Sequence, residues 1–231
     1  MAPHQPARLA LTGVAINAAL FILVLFVPAW TLDWSRAWVI VAIVIVGTAG
    51  STIDLAHANT GLIEERYKSP VQPSQPLGDK IALIALLLSF LGYLIFTSFD
   101  ATRLHVLPPP PDWLSLAGLL ATIGGWVLAW RALRENAFAA PVVKLQDDRQ
   151  QHVVETGPYR YVRHPLYAGG ALLILGIPLW LQSTAGTLAS LVPIAILVIR
   201  ILLEERFLRR ELPGYTGYTQ RTRHRLIPLI W

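Results

Sequence analysis

The sequence predicts an all-α fold, a polytopic membrane bundle of about six hydrophobic helices whose last two form a short hairpin. Three observations carry this. The 231 residues are 54% hydrophobic and 14% charged, with mean hydropathy +0.51, whereas water-soluble domains carry about 25% charged residues. The apolar residues gather into six runs of 16 to 22 residues, near the roughly 20 needed to cross a bilayer as a helix. The basic residues concentrate in alternate connectors, as the positive-inside rule requires.

The first run, Leu9–Trp30, follows the basic flank MAPHQPAR. It exceeds the 7 to 15 residues of a signal-peptide core and has no small-residue cleavage site, so it reads as a retained span. Ala37–Ile53, Ile81–Phe99 and Trp113–Trp130 follow as full spans. The fifth run, Leu166–Leu181, is short and holds Gly169, Gly170, Gly176 and Pro178; the sixth, Gly186–Leu203, holds Pro193. Only Gln182–Ala185 separate these two, which predicts a tight antiparallel hairpin that does not fully span. Trp30, Trp34, Trp38, Trp113 and Trp130 lie near span ends, as in an aromatic belt.

With the N-terminus inside, 17 of the 19 Lys and Arg residues fall in the inner segments, and only Arg36 and Arg103 lie outside. Both termini are therefore expected in the cytoplasm. The net charge of +5 is accounted for by topology and anionic lipid, so nucleic acid is not an expected partner. The chain has no cysteine, which excludes disulfides and thiolate chemistry, and no ligand spacing suggests a metal. The outer loops, Thr31–Arg36 and Asp100–Asp112, are short, the second stiffened by Pro108–Pro111. The inner segments 54–80, 131–165 and 204–231 are longer and richer, so a site is expected on that side. Residues 1–135 read as a four-span scaffold and 136–231 as connector, hairpin and tail of one integrated domain.

The densest chemistry lies in VVETGPYRYVRHPLYAGG, residues 153–170. Gly157-Pro158 predicts a turn, and Pro165 suits the first turn of the fifth helix, placing His164 at its start. Unpaired N–H groups there favour an anionic group such as a carboxylate. Tyr159 and Tyr167 offer hydroxyls and aromatic faces. A second feature is RILLEERFLRREL, residues 200–212, where Arg200 and Glu204 share a helical face. Arg200 sits at the edge of an apolar run, where burying a charge is expensive. The tail PGYTGYTQRTRHRLIP reads as a turn and a short amphipathic segment that folds back over the inner face as a lid. Taken singly, His164 is a helix-capping residue and Arg200–Glu204 an ordinary (i, i+4) pair. Arg206, Arg209, Arg210, Arg221, Arg223 and Arg225 read as topology and lipid contacts, and Asn17, Asp54 and His57 as interhelical or interfacial hydrogen-bonding residues.

GPYRYVRHPLY, the Arg200–Glu204 spacing with Glu205 behind it, and the PGYTGYTQRTRHRLIP ending together resemble the integral-membrane methyltransferases typified by isoprenylcysteine carboxyl methyltransferase, with phospholipid methyltransferases more distantly similar. The likeness covers roughly residues 136–228, and NTGLIEERYKSPVQPSQPLGDK at 59–80 is similar to a loop of bacterial members. The resemblance implies S-adenosyl-L-methionine as cofactor, without the GxGxxG fingerprint of a dinucleotide fold. It implies cofactor contacts at Lys144, at Gln151, His152, Val153 and Val154 in a strand-like stretch, at Tyr159, at His164, Pro165, Leu166 and Tyr167, and at Glu204. At Lys144 the eukaryotic members look to have an uncharged amide residue. Arg200 falls on the position facing the methyl acceptor, with Arg200 and Glu204 the catalytic pair.

Methyl transfer from a sulfonium is an in-line displacement, for which a protein chiefly aligns the reactants and excludes water. A carboxylate acceptor needs no base, and Arg200 would orient it by a bidentate pair. The expected function is methyl transfer to a lipophilic or prenylated acceptor at the membrane face, with carboxyl O-methylation of isoprenylcysteine first. The alternatives are a phospholipid N- or small-thiol S-methyltransferase, an NADPH-dependent membrane reductase, and a non-catalytic interaction or transport protein.

Overall fold

A computed structural model describes residues 5–58, 60–69, 71–72 and 75–231, with the side chains of residues 5–10, 60, 67 and 147 left aside. The MAPH start, the Arg8 side chain, and Asn59, Pro70, Pro73 and Ser74 of the 59–80 loop lie outside the described residues. All regular structure among the described residues is helical. The elements are α1 (Gln5–Ala29), α2 (Ser35–Ala58), α3 (Thr60–Tyr67), α4 (Leu77–Phe99), α5 (Asp112–Glu135), α6 (Pro165–Trp180), α7 (Thr184–Ala189), α8 (Leu191–Glu211) and α9 (Tyr215–Arg221). In hydrocarbon a segment must satisfy its backbone groups internally, which is why each apolar run is a helix.

Five segments are long and apolar enough to cross a membrane: Leu11–Ala29, Ser35–Ala58, Leu77–Leu104, Asp112–Glu135 and Thr184–Glu211. The last is longer than the apolar run Gly186–Leu203 at both ends. Residues predicted as the hairpin turn already belong to α7, and α7 with α8 gives 28 residues, about 42 Å at 1.5 Å per residue. Its partner α6 stays short at 16 residues, about 24 Å against the roughly 30 Å hydrocarbon core. The Ser183 hydroxyl starts α7 by accepting from Gly186 N (2.7 Å) while donating to buried Asp100 Oδ2 (2.5 Å). α4 runs on into a single π turn, Asp100–Leu104, ended by His105 at φ 49°. The expected 59–80 loop contains α3.

α5 and α6 form the closest helix pair in the bundle, and small residues make it possible. A Cβ added at Gly125 would lie 2.6 Å from the Gly169 carbonyl oxygen, and one at Gly176 would lie 2.5 Å from the Gly118 carbonyl oxygen. The glycines of the fifth apolar run thus let two backbones touch, where dispersion packing replaces the hydrophobic effect that lipid cannot supply. α1 packs on α2 and α4, and α4 on α8. One apolar core joins them, with Leu25, Ile40, Leu94, Ile177, Leu197 and Ile201 among its most buried members.

The polar residues of the spans are partly as expected. Asp54 pairs between helices, accepting from Trp130 Nε1 (3.0 Å) and meeting Arg134 at 3.4 Å. Asn17 and His57 instead bond their own helices, Asn17 Nδ2 donating to Gly13 O (2.9 Å) and His57 Nδ1 lying 2.7 Å from Ile53 O. A side chain four residues ahead of a free carbonyl lone pair reaches it more readily than a neighbouring helix.

Candidate active site

The site lies at the end of the bundle where α6 begins and α8 ends. After α5 the connector passes through a 3-10 turn at Asp147–Arg149, runs without regular structure over Gln151–Val154, and turns again at Gly157–Arg160. Gly157 adopts φ 56°, and a Cβ there would fall 2.7 Å from Glu135 Oε2, so both backbone and space call for glycine. Gln151–Val154 belongs to no strand or sheet among the described residues, which corrects the strand-like expectation. Pro165 opens α6 at its first position, with His164 just outside.

A pocket of about 790 Å³, its mouth included, opens here between the connector, the start of α6, the end of α8 and α9. Ten of the twelve expected site residues line it: Lys144, Gln151, His152, Val153, Val154, Tyr159, His164, Leu166, Tyr167 and Glu204. Pro165 is buried beside it as the helix start. Arg200 is not on its wall.

The charged residues are tied together in two layers. In the first, Tyr167 donates its hydroxyl to Glu204 Oε2 (2.6 Å), and its ring stacks on His164 at 5.6 Å between centroids. In the second, buried Glu205 gathers side chains from two segments, the connector end and the tail. Its Oε1 accepts from Arg163 Nε (2.6 Å) and lies 3.2 Å from His164 Nε2, while Oε2 accepts from Arg225 Nε (3.1 Å). Nε2 is the ring nitrogen that faces this carboxylate. His164 is therefore anchored by its ring, and no side-chain hydrogen bond caps α6.

Arg200 departs from expectation in its partner. It does not pair with Glu204 four residues on; its Nε donates to Asp79 Oδ1 (2.9 Å), and Nη2 donates to the Pro141 carbonyl. Asp79 Oδ2 also accepts from Gln75 Nε2 (2.6 Å) and Val143 N (2.9 Å). The guanidinium lies 5.7 Å from the Tyr167 ring centroid, so Arg200 reaches the pocket through Tyr167 and through the connector that Asp79 holds. Lys144 is held in the same manner by residues before α4, donating to Glu65 Oε2 (2.6 Å) and Gln72 Oε1 (3.0 Å). Burial raises the Glu65 carboxyl, but hydrogen bonds and charge from Lys144 and Lys68 outweigh it and hold the group below its ordinary value.

The tail does fold back over this end. Arg163 N and His164 N donate to the carbonyls of His224 and Arg225 (both 2.9 Å), and Arg163 Nη1 donates to Thr222 O and Arg223 O (both 2.8 Å). These bonds use the two amides just before α6, leaving the first-turn amides of Leu166 and Tyr167 as the donors beside the pocket. Tyr215 and Tyr218 of α9 close one wall, and Tyr218 donates its hydroxyl to Tyr159 O (2.7 Å). Burial pushes the phenols of Tyr159, Tyr215 and Tyr218 above the ordinary range. Arg221 and Arg225, expected as lipid contacts, instead pair with Glu155 and Glu205. Their partners lie 66 and 20 residues away.

Sequence reasoning passed over Asp79, Glu65, Gln72, Arg163 and the two tail tyrosines. Asp79 left a signal: an acid in the first turn of an apolar helix is costly unless paired. The other five sit in polar segments where nothing marks them out.

Residues 113–213 match the family described as phospholipid methyltransferase. A stretch of 71 residues is 35% identical to the cobalt-zinc-cadmium resistance protein CzcN of Cupriavidus metallidurans (strain ATCC 43123 / DSM 2839 / NBRC 102507 / CH34), covering 30% of this chain and 33% of that protein. The chain thus matches about a third of the length of this curated relative. The family match contains α5, the pocket connector, α6 and most of the residues around Glu204 and Glu205, which agrees with the resemblance to integral-membrane methyltransferases.

Proposed function

We propose that this protein transfers a methyl group from S-adenosylmethionine to a lipophilic acceptor at the membrane face. The observation that carries the reading is the pairing of Tyr167 with Glu204 and of His164 with Glu205 on one pocket, inside the stretch that matches a methyltransferase family. The residues fit that cofactor's chemistry. Glu204 is a carboxylate for amino or hydroxyl donors, the Gln151–Val154 backbone is free of a sheet, and Leu166 and Tyr167 amides meet a carboxylate. Tyr159, Tyr167 and Phe138 provide aromatic walls. The cofactor supplies a methyl carbon made electrophilic by its sulfonium.

The chain's own part is to align, to exclude water and to manage charge. Carboxyl O-methylation of an isoprenylcysteine remains the first acceptor, since a carboxylate needs no base. A second reading, N-methylation of an amino-phospholipid, is favoured by the family match. We place both termini and the pocket on the cytoplasmic side of a bacterial inner membrane, on the distribution of basic residues. Residues 1–135 serve as scaffold and 136–231 carry the site, with Glu65 and Asp79 as the scaffold's contribution to it.

Binding of S-adenosylhomocysteine to the detergent-solubilised protein tests the reading. Separate His164→Ala, Tyr167→Ala and Glu204→Ala variants should each lose it while keeping the thermal transition. Normal binding in all three places the site elsewhere, and tight NADPH binding with none of S-adenosylhomocysteine makes the protein a reductase. Labelled cofactor with prenylcysteine analogues or phosphatidylethanolamine then separates the acceptors.

A further inference from the structure

Two further cavities lie among the helices, both lined by α1, α2, α5 and α6, the first also by α3 and the second also by α4 and α8. The first holds Thr48, Ser51, Thr52 and Arg66 and shares Leu166 with the active-site pocket. The second is lined by Phe21, Val44, Phe90, Ile174 and Leu197 and is almost wholly apolar. Asn17, Trp126 and Leu173 line both. The three spaces thus follow one another from the pocket toward the bundle interior, and polarity falls along the way.

We propose that the first cavity holds the apolar chain of the methyl acceptor and that Trp126 is its floor, setting the chain length accepted. This rests on the methyl-transfer reading given above. The falling polarity fixes the direction: a polar reacting end sits near Leu166 and Arg66, and a hydrocarbon chain points toward Trp126. The indole is seated on Gly47, where an added Cβ would fall within the ring, so α2 fixes it by lacking a side chain. Along α5, from Leu133 in the first cavity to Trp126, the rise is about 10 Å, room for roughly eight methylenes. Thr122, which lines the second cavity, is four residues further, or about 6 Å and roughly five methylenes more. Removing the indole joins the two spaces.

The test uses the full chain in one detergent and lysophosphatidylethanolamines with chains of 6 to 18 carbons, each displacing a dansylated dodecyl chain. Transfer of the chain out of the micelle is common to wild type and variant, so their ratio at each length isolates the cavity. For Trp126→Ala the ratio should stay near one up to about eight carbons and reach tenfold or more in favour of the variant by about thirteen. Adding Ile43→Phe, which fills the second cavity from α2, should return the ratio toward one. A flat ratio across all lengths in a Trp126→Ala protein that still binds S-adenosylhomocysteine overturns the assignment. If the chain-length shift appears but the wild type binds no S-adenosylhomocysteine, the slot stands and the methyl-transfer reading fails.

Discussion

Truncating Asp79 tests whether the buried ion pair behind the site holds the structure as well as the pocket. Asp79 is 2% exposed and Arg200 5%, so Asp79→Ala leaves a guanidinium without its counter-ion where water cannot replace it. Removing one partner of such a pair costs about 3 to 5 kcal/mol. The Val143 amide and the Gln75 side chain lose the same acceptor, each a further loss of about 1 kcal/mol if unreplaced. Taking about 4 kcal/mol, and roughly 2 to 4 °C per kcal/mol for a chain of this size, the transition should fall by about 8 to 16 °C. Asp79→Asn keeps an acceptor for Val143 without the charge and should fall between. Arg200→Met combined with Asp79→Ala should recover at least half of the loss, because replacing both partners by apolar groups is near neutral. Thermal unfolding of the solubilised protein, followed by tryptophan fluorescence, provides all four values. A shift under about 3 °C for Asp79→Ala, or losses that simply add in the double variant, would refute the reasoning.

Gly125→Ala or Gly176→Val should destabilise by about 1 to 3 kcal/mol or more through forced separation of α5 and α6, read as a lower unfolding temperature; an unchanged transition would mean the helices are not in contact. Glu65 has its folded pKa lowered from 4.5, so its contribution is complete above that value and is lost as pH falls through the lowered one. An acid stability series should accordingly be steeper for wild type than for Glu65→Gln. Tyr159, Tyr215 and Tyr218 have raised folded pKa values, so their contribution is complete below the ordinary value of about 10 and declines above it. Phenolate absorbance at pH 11 should leave these three un-ionised until unfolding, and a full complement of phenolate in the folded protein would contradict their burial.

Much of the bundle was legible because hydropathy is a local quantity. Leu166–Leu181 was expected and Pro165–Trp180 found, since Pro165 and Gln182, at φ 65°, bound the helix from within the sequence. The sixth apolar run ends at Leu203, where the charges interrupt the hydropathy signal, and the helix continues through RILLEERFLRREL to Glu211. His164, Tyr167 and Glu204 were found through one compact block and one spacing. Asp79 and Glu65 were not, because each matters only through a partner far along the chain.

The sequence alone determined where the chain crosses the membrane and where α6 starts, because apolar run length, proline and glycine act on the residues beside them. It also marked out the stretch 153–170 that the structure brings to the pocket. Only the tertiary structure decided how the charges are shared. Arg200 meets Asp79 across 121 residues and Lys144 meets Glu65 across 79, while Glu204 is left to Tyr167. An ion buried among apolar helices must take the partner that three-dimensional packing brings within about 3 Å, whatever stands next to it in the chain.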